Sequence, residues 1–245
     1  MKFFALFPLL SFMLLACTTT DEPIYNNDVM DRQEIQQKYD VFKALTIDNL
    51  NNSLSIILNS NSRSPSTINN GNEYIDILTN LPVETVDSLY HIYCTPSAEI
   101  LYNDNFDIIL QALTDNSSIE EVQALYNFTD EYIANGGHDM ELLYHESQQV
   151  SPIIGECMIS CAAAIDEFIL DESDYRIATS HCIRDLCIKL IEMGIDNAVS
   201  EVVDGLLSTF PGVDVAYELF TAGCDLYSAI KLAYEYNQCC LTSIS

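Results

Sequence analysis

The sequence predicts an all-α fold, a helical bundle whose C-terminal hairpin is braced by disulfides. Three observations carry this expectation. Apolar residues recur at helical spacing along most of the chain, helix-capping residues stand where those stripes begin, and glycine or proline stands where they end. In chain order, Ile35, Tyr39, Phe42, Leu45, Leu50, Leu54 and Ile57 form the stripe of a first amphipathic helix. The Asn- and Ser-rich run 59–72, with Pro65 and Gly71, reads as loop. After Pro82, the positions Val83, Val86, Leu89 or Tyr90, and Tyr93 share helical spacing, while their aromatic content leaves a short strand open over 89–94. Ile100, Leu101, Phe106, Ile109, Leu110 and Leu113 make the next stripe. Ser118 with Glu121 is a capping box ahead of Val122, Leu125 and Tyr132, and Gly136-Gly137 closes that helix. Ser151-Pro152 is a cap followed by proline at the first helical position. Four apolar segments follow, broken near Glu172, Gly194 and Pro211-Gly212, and Gly223 offers a further break.

Composition bounds the function. The 245 residues carry 37 Asp and Glu against 9 Lys and Arg, a net charge of −28, with 49% hydrophobic residues. That apolar mass is enough for a packed core. The charge excludes nucleic acid as a natural partner, since phosphate binding runs on basic patches and released counterions. It equally argues against attachment to anionic lipid through basic residues. Between Arg63 and Arg176 lie 112 residues without Lys or Arg, carrying 21 Asp and Glu. Such a stretch is either a solvated acidic face or a surface for divalent cations or a cationic protein or peptide partner.

The leader points to a compartment. Lys2 precedes an apolar run, Phe3 to Ala16, too short to cross a bilayer. It ends in Leu14-Leu15-Ala16-Cys17, which resembles the lipobox of bacterial lipoprotein precursors. The resemblance implies that residues 1–16 are a removed signal peptide and that Cys17 is lipidated. Membrane attachment then runs through a lipid anchor, with 17–30 as a linker containing Pro23. Asp21-Glu22 resembles the acidic export tag of surface lipoproteins in Bacteroidetes-type bacteria, which implies the cell envelope and its outer membrane. Asp87-Ser88-Leu89 resembles the O-glycosylation signal of exported proteins from the same group. Asp204, Pro211 and Asp214 interrupt the most apolar later segment, so no second stretch reaches transmembrane length.

Cysteine usage divides the mature chain into an acidic, cysteine-poor region, 31–150, and a cysteine-rich region, 151–245. Whether these are one domain or two is left open. Export into an oxidising compartment favours disulfides. A helical hairpin centred near Glu172 would nest two of them, Cys157–Cys187 and Cys161–Cys182, with Ala162, Ala163, Ala164 and Ala178 small enough to let the helices approach. The same four thiols offer a tetrahedral zinc site as the alternative. Cys94, Cys224, Cys239 and Cys240 remain for other pairs, with the adjacent Cys239 and Cys240 reaching different partners.

Candidate chemistry is sparse. His138, Glu141 and His145 would share one helical face, but the spacing is not that of a zinc hydrolase and no catalytic metal is expected there. Asn103, Asp104, Asn105 and Asp107 lack the glycine and final glutamate of a calcium loop and read as a polar helix face or loop. Glu120-Glu121 and Asp166-Glu167 are acid pairs, although glycosidase chemistry needs carboxyls facing each other across a cleft. Cys94 near His91 has the residue types of a nucleophile and base, though a disulfide or core role is favoured in an exported chain. Gly-rich phosphate and dinucleotide loops and the nucleophile elbow are absent. The expected function is therefore a cell-envelope lipoprotein acting as a binding or interaction module, with no cofactor. A secreted antagonist is the alternative, because the cysteine-rich half resembles disulfide-rich helical bacteriocins in outline. A hydrolase built on acids or a His-Glu-His metal comes third, and needs a pocket where those side chains converge.

Overall fold

The computed structural model describes residues 30–59, 67–168, 181–207 and 214–243. Among them are nine helices and no strand: α1 (Arg32–Asn59), α2 (Gly71–Thr79), α3 (Val83–Tyr93), α4 (Pro96–Asn116), α5 (Ile119–Ala134), α6 (Met140–Ser147), α7 (Pro152–Phe168), α8 (His181–Leu207) and α9 (Asp214–Ser243). The leader with Cys17, and the breaks at Glu172 and Pro211-Gly212, lie outside the described residues.

Helix α7 is the axis of the molecule. Its sequence from Ile154 to Phe168 is apolar on nearly every side, and it is buried at almost every position. Around it pack α1, α5, α6 and α8, while α9 lies on α8, α3 and α4. Buried residues from Met30 to Ala233 belong to one cluster, so the regions before and after residue 150 share a core. Pro152 starts α7 as its sequence foretells, and the Ser118–Glu121 capping box is formed in full. Glu121 goes further than its box. One carboxylate oxygen takes the Ser118 N–H at 2.9 Å and the other takes the Ser151 N–H at 2.7 Å, tying the start of α5 to the start of α7. Burial would raise the pKa of this carboxyl, but the N–H groups of Ser118 and Ser151 outweigh it and hold the group below the usual range.

Several boundaries differ from the sequence reading. Residues 89–93 stay helical in α3, with Leu89 buried. The loop ends early, at Asn70, whose side chain caps α2 by accepting the Glu73 N–H at 2.9 Å. Gly71 is required there, because a Cβ would stand 2.3 Å from the Glu167 carbonyl oxygen of α7. Gly194 does not break α8. A Cβ at that position would meet the Phe168 ring at 3.2 Å and the Ala164 Cβ at 3.3 Å, so the glycine serves close packing of α8 on α7. Gly223 likewise lies inside α9.

The same contact overturns the predicted disulfides. Ala164 and Phe168 lie against Gly194, about four helical turns further along α8 than a hairpin centred on Glu172 requires. Neither Cys157–Cys187 nor Cys161–Cys182 forms, and Cys157, Cys161 and Cys187 are free thiols. Cys157 and Cys161 are sealed in the core, at 0% and 1% exposure. Cys182, in the first turn of α8, instead bonds Cys239 near the end of α9, with Cα atoms 5.7 Å apart. Cys94 and Cys240 are also free.

Candidate functional site

The acids and histidines singled out by sequence do not converge. Glu141 forms a two-pronged pair with Arg32, at 2.9 and 2.7 Å. His145 turns its Nδ1 to Glu146, and His138 places its Nδ1 3.4 Å from Asp166. Asn103 to Asp107 ride on α4. Asp166 and Glu167 are buried, but as bracing. Asp166 accepts hydrogen bonds from the Tyr39 hydroxyl (2.6 Å), the Tyr132 hydroxyl (2.9 Å) and the His138 N–H (2.8 Å). Burial first, and the neighbouring carboxylate second, push both phenols far above their ordinary pKa. Glu167 pairs with Lys43 at 3.2 Å. The Cys94 thiol faces the Tyr227 carbonyl oxygen, and burial raises its pKa to about 11, the wrong direction for a nucleophile.

Where chemistry does gather is a cavity of about 480 Å³ between α4, α5, α7, α8 and α9. Its walls are chiefly apolar: Phe106, Ile109, Leu110 and Leu113 from α4, Leu125 and Tyr126 from α5, Met193 and Val199 from α8, and Leu232 from α9. Two partly exposed lysines stand at its rim. Lys189 pairs with Glu235, and Lys231 lies 3.6 Å from Glu99 and donates to the Tyr227 hydroxyl at 3.1 Å. Cys161 closes one wall from α7, its thiol driven up to about 12 by burial.

Asp196 is the polar centre of this space. The residue is half-buried and lines the cavity. Tyr102 donates to its Oδ2 at 3.2 Å. Desolvation raises its pKa to about 7; the Tyr102 hydrogen bond pulls it down and the Glu192 charge pushes it up again. Glu192, one turn earlier on α8 and on the same wall, is raised by partial burial as well. None of the described acids of the 64–175 stretch lines this cavity. Sequence reasoning missed Asp196, yet a signal exists: Met193, Asp196, Val199 and Val203 share one stripe, an acid set among buried apolar positions.

A second grouping sits at the disulfide. His181 Nε2 is 3.3 Å from Cys239 Sγ and 3.6 Å from Cys182 Sγ. With the sulfurs bonded to each other, neither is a thiolate, and metal binding needs thiolates.

Fold and site together define an all-helical protein with a chiefly apolar cavity that carries Asp196 and Glu192 on its α8 wall. Comparison of the chain with protein families, with curated proteins and with solved structures finds no match. No helix among the described residues is long and apolar enough to cross a membrane.

Proposed function

We propose that this protein is a lipid-anchored binding protein of the bacterial cell envelope that holds an apolar small molecule in the α4–α9 cavity. The cavity is the observation that carries the reading: its volume and largely apolar walls are those of small-molecule sites. The envelope assignment rests on the leader and Cys17, with 17–30 as tether between lipid and core. The exposed acids of the 64–175 stretch suit a separate contact with a cationic protein or peptide.

The competing readings have less support. Release of 151–245 as an antagonist would strip α7 from α1 and α5 and expose the shared core. A hydrolase on Glu192 and Asp196 would need donors for a developing negative charge. The cavity walls are helix interiors, whose backbone N–H groups are already spent on helix bonds, and Tyr102, Lys189 and Lys231 are engaged by Asp196, Glu235 and Glu99.

The chain contains no tryptophan, so Ile195→Trp sets a single indole on the cavity wall. Nile red, a neutral apolar dye, is expected to bind at one equivalent, brighten, and quench that indole. Lack of saturable binding overturns the cavity reading. For the anchor, Cys17→Ala is expected to release the protein from the membrane fraction, and retention with unchanged processing overturns it.

A further inference from the structure

We propose that the cavity selects an apolar molecule carrying one basic nitrogen, whose ammonium pairs with Asp196 while its hydrocarbon body lies along Phe106, Leu110 and Val199. The inference rests on the cavity reading above and adds the chemistry of the ligand.

Geometry and charge argue for it together. Asp196 is half-buried on the cavity wall, and Tyr102 supplies its one hydrogen bond among the described residues, so acceptor capacity is left beside the open space. A half-buried carboxylate with one hydrogen bond, set in an apolar wall, has acceptor capacity to spare, and an ammonium with donor hydrogens is its complement. An anionic ligand is disfavoured by the same wall. Both rim lysines are already engaged, Lys189 by Glu235 and Lys231 by Glu99, and its charge would meet Glu192 and Asp196. A neutral hydrocarbon fills the volume but leaves Asp196 as it is. The chain's net charge of −28 also draws cations toward the mouth.

The groups facing Asp196 fix its pH response. They are Tyr102 from α4, Tyr126 from α5, Cys161 from α7, and Glu192 on its own helix, with Lys189 from α8 and Lys231, Tyr227 and Glu235 from α9 at the rim. The Tyr126 and Cys161 pKa values are raised by burial first, and Asp196 adds to both rises. Neither group is ionised near neutrality. In the empty cavity Asp196 gives up its proton near pH 7, and an amine demands the ionised form. Amine affinity therefore rises as pH climbs through that value. An alkylammonium, like a lysine side chain, stays charged throughout the interval.

Calorimetric titration of the mature protein with decylamine, decanol and decanoate tests this. Decylamine is expected to bind at one equivalent, at least tenfold more tightly than decanol, with decanoate weakest. Its affinity rises about tenfold from pH 6 to pH 8, whereas that of decanol stays flat. Asp196→Asn erases the amine preference and the pH dependence but keeps decanol binding. Decanol equal to decylamine, or a preference that survives Asp196→Asn, overturns the inference and leaves the cavity reading standing. A pH-independent amine affinity in the unaltered protein does the same without relying on the variant. Failure of both probes to bind overturns both readings.

Discussion

Replacing Asp166 by alanine is expected to lower the unfolding free energy by about 3 kcal/mol, because it leaves two buried phenol donors without their acceptor at about 1–3 kcal/mol each. Three donors aim at this carboxyl: the hydroxyls of Tyr39 and Tyr132, which share Oδ2, and the His138 N–H on Oδ1. Its side chain is fully enclosed, so water does not take over when it is removed. Asp166→Asn is expected to be nearly as costly, because its new N–H₂ group points at donors. Tyr39→Phe and Tyr132→Phe should each cost about 1 kcal/mol, since each deletes one neutral donor and leaves the others in place. Urea unfolding measures all four, and a double-mutant cycle between Asp166 and Tyr39 isolates their coupling. An Asp166→Ala midpoint matching the unaltered protein would show that the network carries no stability.

The second large effect is expected at the disulfide. Cys182 and Cys239 are 57 residues apart, and on the chain-entropy account that closure stabilises the fold by about 4 kcal/mol. The Cys182→Ala/Cys239→Ala variant should unfold at lower urea by the corresponding amount and become insensitive to reductant. The unaltered protein should shift to that midpoint when reduced. Non-reducing peptide mapping is expected to join the Cys182 and Cys239 peptides. Recovery of Cys182 joined to Cys161 would refute the assignment.

The cysteines also mark where sequence reading stops. Helices were legible because their causes are local: the Ser118–Glu121 box, Pro152 at the first helical position, and the stripe from Ile35 to Ile57. Helix α2 was not, since two turns give too few apolar positions to outweigh a preceding run of Asn and Ser. Which cysteine meets which depends on register between distant helices. That register is set by Phe168 and Ala164 seating on Gly194, and a glycine in isolation reads as a breaker. The cavity needs five helices to exist, so no spacing within one segment announces it. Only Asp196, out of place on an apolar stripe, leaves a trace in the sequence.

The central position of α7 also governs when the molecule can assemble. Tyr39 must wait for a carboxylate 127 residues further along the chain, and Ile35, Leu54 and Tyr132 wait for the same helix to give them an interior. A nascent chain that has grown only to residue 150 therefore has helix-forming segments but no core to gather them. Tertiary structure arrives late, once Phe168 and the helix that seats on it have been synthesised, and contacts of such long range close slowly. Until then the segments before residue 150 lack the helix that most of them pack against.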